Sequence, residues 1–177
     1  MKKSKKKLTQ LILKIGSKYF HKKIYSFILF LRSFKKFKKE INKAKSYEKF
    51  SNNIDQINCH EYKITSQNNE DGIIEHIFKK IPNKKYFVEI GFDLYEFNSL
   101  NLIKKGWDGK LFEQNIDECL ALNSLLSHFY PQNKVDVVNQ SINLKNTSVL
   151  FENIPSEKDI DFFSIDIDGN DYWIIKK

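Results

Sequence analysis

The stretch DFFSIDIDGNDYW, from Asp161 to Trp173, constrains this chain most. Phe162, Phe163, Ile165 and Ile167 form a strand-like apolar run. Asp166 and Asp168 interrupt it, and Gly169, Asn170 and Asp171 then turn the chain. Unpaired buried charge is costly, so a buried strand that ends in three carboxylates and a glycine needs a reason. In open α/β sheets, ligands bind beyond the carboxyl ends of the strands. The stretch therefore predicts both a site and a sheet to carry it.

The pattern upstream supplies that sheet. SQNNEDGIIEHIFKKIP reads as a helix, with Asn68 or Asn69 as N-cap and Pro82 as the stop. Glu70 and Asp71 fall in its first turn, where they complement the helix dipole. An apolar strand over 86–90 ends at Gly91. Helices are expected over 99–105 and 117–127, strands over 110–113, 135–138 and 161–168, and a last helix from Tyr172. Strands separated by helices of this length imply a parallel sheet with right-handed crossovers.

The 177 residues suffice for one domain and an appendage. Charge divides them unevenly. Residues 1–47 hold sixteen Lys/Arg and one acid, Glu40, a balance of +15. Residues 48–177 hold fourteen Lys/Arg and twenty-one acids, a balance of −7, and together they give the net +8. A basic arm fused to a mildly acidic domain argues against nucleic-acid binding by the whole chain.

The arm carries apolar residues at three- and four-residue steps, among them Leu8, Leu11, Ile12, Ile15 and Tyr19, then Ile24, Phe27, Ile28, Leu31 and Phe34. That is the period of a long basic amphipathic helix. Its densest apolar run, Ile24 to Leu31, is far shorter than the ~20 residues a bilayer span needs. No small-residue cleavage site follows it, against a signal peptide. Such a helix can pack its stripe on the domain or on a second copy, or lie on an anionic lipid surface. A nucleic-acid arm would use more Arg. The expected organisation is an arm over 1–47, a linker over 48–60 and an α/β domain over 61–177.

Candidate chemistry collects at the strand ends. Glu89 and Gly91 stand at the exit of the first strand, and Glu113 follows twenty-two residues after Gly91. A glycine at a strand exit and a carboxylate about twenty residues on is the layout of nucleoside binding in doubly wound folds. Glycine lets the backbone approach the ligand, and a carboxylate accepts two hydrogen bonds from a ribose diol. A strand-end glutamate that is simply solvated has the same appearance. Cys59 and Cys119 form neither a disulfide framework nor a metal signature and fit a reducing compartment; Cys119 reads as a core residue. His60 and His128 lack hydrolase partners, His76 reads as a packed histidine, and no phosphate loop occurs. Trp107 is expected at the turn before the second strand, and Tyr172 and Trp173 are expected to seat the final helix.

SQNNEDGII, YFVEIGF, NSLNLIKKGWDGKLFEQN and DFFSIDIDGNDYWI, in this order and spacing, resemble the FkbM-like S-adenosylmethionine-dependent methyltransferases, and most closely a bacterial subset among surface-glycan biosynthesis genes. The resemblance covers about residues 61–175 and leaves out the arm. It implies a partial Rossmann-like methyltransferase fold. It implies S-adenosylmethionine as cofactor, held by Glu89, Gly91, Asp93, Glu113 and Asp166. It implies Asp166 and Asp168 as catalytic residues that bind or orient the acceptor, take its proton or hold a divalent cation, with no dedicated metal ligands. Gln67, Glu70, Asp71 and Asn170 would line the same cleft.

The chain departs from that pattern in two places. EIGFDLYEFNS is one residue short in the glycine-rich loop, with Leu94 where a glycine is expected. A bulky residue adopts positive φ only with strain, and Leu94 is expected to crowd the cofactor. The chain also supplies only the first four strands of such a sheet, which predicts a truncated member with an open edge, prone to dimerise or to pair with a partner chain. The expected function is O-methylation of a sugar or glycan precursor in the cytoplasm or at the inner membrane face. The alternative is an inactive truncated homologue that binds a membrane or a partner through the arm.

Overall fold

The computed structural model describes residues 56–152 and 154–177, together with Ile28, Leu31, Phe34, Lys38 and Lys39. The fold grows around β1 (Tyr86–Ile90), whose five residues YFVEI are all buried. Apolar side chains on both faces of a strand require layers on both sides, the usual state of a parallel sheet. β2 (Asp108–Glu113), β3 (Val135–Asn139) and β4 (Phe162–Ile165) complete a four-stranded, all-parallel sheet in the order β3-β2-β1-β4. Phe87 pairs with Gly109 on one side and Phe162 on the other. The fourth strand is shorter than expected, because the chain leaves the ladder after Ile165.

Alternation along the strands builds two cores. Phe87 and Leu111 face α1 (Glu70–Lys80), α2 (Leu100–Lys104) and α3 (Ile116–Phe129), where Ile74, Leu100, Ile103, Leu122 and Leu125 pack against them. Tyr86, Val88, Ile90 and Phe112 face the other way, onto Ile142, Leu150 of the 3-10 turn Thr147–Phe151, and Ile174 of α4 (Asp171–Lys176). Ile174 is thus the residue that seats the last helix. The expectation for its neighbours is corrected: Tyr172 and Trp173 are 63% and 53% exposed. One turn of helix can turn only one side in three or four toward the sheet.

Local signals explain the helix ends. Glu70 and Asp71 open α1, and Lys79 and Lys80 close it. Asn69 sits at the cap with φ 70° but its side chain caps nothing. The Asp71 carboxylate instead gathers the preceding chain. Its Oδ2 accepts from the amides of Ile64 (2.6 Å), Thr65 (2.9 Å) and Ser66 (2.9 Å) and from the Ser66 hydroxyl (2.7 Å). α3 starts one residue earlier than expected because Asn115 caps it, accepting from the Asp117 amide at 3.0 Å. Trp107 packs edge-on against Phe78 before β2, and Cys119 is a buried core residue, as their sequence contexts imply.

The folded unit begins before residue 61. Ile57–His60 forms a 3-10 turn, and His60 stacks on His76 of α1 with centroids 3.3 Å apart. The five described arm residues are helical. Phe34 packs on His128 and Phe129 at the end of α3, with centroids 5.3 and 5.1 Å away. The expected continuous basic helix, and the linker before residue 56, otherwise lie outside the described residues. Among the described residues no helix is long and apolar enough to cross a membrane.

Candidate functional site

Strand order reverses between β1 and β4: from β1 the chain moves one way to β2 and β3, and β4 lies on the other side. Crevices open at such switch points, beyond the carboxyl ends of the strands. Here the crevice is a cavity of about 610 Å³. That volume lies within the range of roughly 300–1,000 Å³ typical of small-molecule sites.

The β1 exit is built for close approach. Gly91 has φ +73°, its amide donates to the Phe112 carbonyl at 2.9 Å, and the Asp166 amide donates to the Ile90 carbonyl at 2.8 Å. A Cβ on Gly91 would sit 1.8 Å from the Asp166 carbonyl oxygen, so only glycine fits.

Glu89 is 2% exposed and lines the crevice. Its oxygens accept from the amides of Asn98 (2.8 Å) and Ser99 (2.9 Å) and from the Ser99 hydroxyl (2.5 Å). Burial pushes its carboxyl above the usual range, while the donors from Ser99 and Asn98 pull the other way. With three donors engaged, Glu89 fixes the loop from Gly91 to Ser99, and that loop carries Asp93 and Glu96 into the crevice lining.

Glu113 ends β2. One of its oxygens accepts the Asn115 amide at 2.8 Å, and the other accepts no hydrogen bond among the described residues. Asp166 and Asp168 follow β4 and are exposed to the crevice. Their carboxylates make no hydrogen bond or ion pair among the described residues. Their turn is held from below by Asp171, which accepts from the amides of Ile167 (2.9 Å) and Gly169 (3.4 Å). Asp168 adopts φ +55° and Gly169 φ +106°.

Of the sequence-derived candidates, Gln67, Glu70, Glu89, Gly91, Asp93, Glu113, Asp166, Asp168 and Asn170 all line this one cavity. Asp71 does not, and its assignment to the cleft is corrected: it is fully buried and its hydrogen bonds serve residues 64–66. Burial pushes its carboxyl upward against the pull of those donors. The expectation for Leu94 is also corrected. It has no positive φ, is 2% exposed in the helical-side core, and does not line the cavity.

Charge gives the crevice its character. Glu70, Glu89, Asp93, Glu96, Glu113, Asp166 and Asp168 line it, with no Lys, Arg or His among the described residues. Lys63 stands beside it, 3.9 Å from Glu96. Among the described residues no three His, Cys, Asp or Glu side chains group as a metal site.

Several contributors were not anticipated. Asn98 and Ser99 hold Glu89, Asn115 and Glu118 support Glu113, and Gln140 to Asn143 line the cavity beyond β3. Polar residues just past a third parallel strand were the available signal for the last group. Compared with protein-family models, curated proteins and solved structures, the chain matches none.

Proposed function

We propose that the crevice binds S-adenosylmethionine and that the protein transfers its methyl group to an oxygen acceptor, a hydroxyl of a sugar or glycan precursor. The sheet is read as the first four strands of a Rossmann-like methyltransferase fold, with β1 central and β4 beside it. The observation that carries the reading is the lining: among the described residues, seven carboxylates and no basic side chain around a nucleoside-type layout of Gly91 and Glu113. A pyrophosphate or triphosphate would face like charge there, at a cost that rises as water is excluded. A sulfonium cation meets opposite charge.

The residues present fit that cofactor. Gly91, whose missing Cβ makes room for the Asp166 carbonyl, brings the β1 and β4 exits together in the cavity lining, and the free oxygen of Glu113 suits a ribose diol. When bound, S-adenosylmethionine supplies an electrophilic methyl group. Asp166 and Asp168, whose carboxylates have no partner among the described residues, would orient the acceptor hydroxyl, and one of them would take its proton as the methyl group leaves sulfur for oxygen. Gln67 and Asn170 add amide donors and acceptors suited to neighbouring hydroxyls.

Equilibrium dialysis of the 177-residue protein against labelled S-adenosylmethionine, with NAD as the comparison, tests the reading. Saturable binding of the first and none of the second is expected. No saturable binding at millimolar concentration, or equal binding of both, removes it.

A further inference from the structure

We infer that Glu118 is a positioning residue that sets the spacing across the crevice, although it does not line the crevice itself. The inference rests on reading the crevice as an adenosyl site. Glu118 stands in the first turn of α3. Its Oε2 accepts the Leu94 amide at 3.2 Å, and its Oε1 accepts from Nδ2 of Asn115, also at 3.2 Å. The Asn115 amide in turn donates to Glu113 at 2.8 Å.

One side chain thereby ties the turn after β1 to the turn after β2. The first turn brings Asp93 to the crevice, and the second brings Glu113. Each end of the tie is anchored. Leu94 is buried in the core, and Asn115 is fixed as the α3 cap through the Asp117 amide. Asp93 and Glu113 both face Glu118 electrostatically, and the Cys119 thiol lies within its field. Three carboxylates so placed repel one another, and the Leu94 and Asn115 donors hold the arrangement against that repulsion. Burial, then Asp93, push the Glu118 carboxyl above its ordinary range. A tie of this kind matters because small displacements of groups that hold a ligand cost large factors, up to about a hundredfold per ångström in rate.

The test uses the full chain, its Glu118→Ala and Glu118→Gln variants, and S-adenosylhomocysteine as the probe. Glutamine keeps an oxygen for the Leu94 amide but cannot titrate. The expected affinities by calorimetry are a loss of about tenfold for alanine and less than about threefold for glutamine. Amide spectra of the unliganded proteins give a second readout. The Leu94 resonance should move with pH in the acid range in the wild type and move less in the glutamine variant, which reports the Glu118–Leu94 bond, while rescue of affinity by glutamine but not alanine separates positioning through that bond from loss of the fold. Wild-type affinity in the alanine variant, or the same Leu94 titration in wild type and glutamine variant, overturns the inference. If no protein binds the probe, the adenosyl reading fails, while the Leu94 titration still decides whether Glu118 holds the turn.

Discussion

Gly91 and Asp166 touch backbone to backbone: a single added carbon on Gly91 would lie 1.8 Å from the Asp166 carbonyl oxygen. This contact joins the exits of β1 and β4 and sets the floor of the crevice. Gly91→Ala should therefore strain φ and push the two exits apart. We expect a loss of about 2–5 kcal/mol, combining roughly 1–2 for the left-handed conformation with roughly 1–3 for the clash. Chemical denaturation of the two proteins checks it. An unchanged midpoint would contradict the contact.

Leu94→Gly places a glycine in the loop after β1, where Leu94 now stands. Because Leu94 is buried in the core, the change should destabilise by about 3–5 kcal/mol rather than improve the loop. Denaturation measured with ligand binding separates the alternatives. A glycine variant as stable as the wild type, with tighter binding, would show that Leu94 obstructs the site after all.

Ile174 and Trp173 are neighbours with opposite roles. Ile174→Ala should cost about 2–4 kcal/mol, since the side chain fills the second core. Trp173→Ser should cost less, about 1 kcal/mol, because the indole is about half exposed and lies outside the core. Melting curves of both variants decide this, and a larger loss at Trp173 would reverse the assignment.

Glu75 governs an acid-sensitive junction between α1 and α2. Its burial favours the neutral form, but hydrogen bonds from Lys79, Tyr62, Asn101 and Lys105 outweigh burial and hold the carboxyl down to about 2, from 4.5. A folded-state value below the unfolded one stabilises above about pH 4.5, and the gain is lost as pH falls toward 2. Glu75→Gln should therefore melt lower than the wild type at pH 6.5, and the gap should narrow as pH drops through 4. A gap that stays constant or widens on acidification would contradict the network.

Much of the fold was legible because period and punctuation agree. Tyr86 to Ile90 is apolar on both faces and ends at Gly91, and the structure begins and ends β1 at those residues. The strand-end carboxylates were legible as one group because parallel strands deliver their carboxyl ends to one edge, and Glu89, Glu113, Asp166 and Asp168 line one cavity. What escaped was direction within short segments. Asp71 sits next to Glu70 at a helix start, yet one turns inward to three backbone amides while the other reaches the crevice. Leu94, Tyr172 and Trp173 were misjudged likewise, since which way a loop or a single helical turn rotates depends on tertiary contacts. Glu118 carried no local mark, because its role is a bond to an amide 24 positions earlier in the chain.

The most direct measurement is amide chemical-shift mapping of the full chain with S-adenosylmethionine. Saturable shifts centred on Gly91, Gln114 and Asp166, at the exits of β1, β2 and β4 in the cavity lining, are the predicted result. An absence of saturable shifts at millimolar ligand, or shifts centred away from those exits, would contradict the acidic crevice as an adenosyl site.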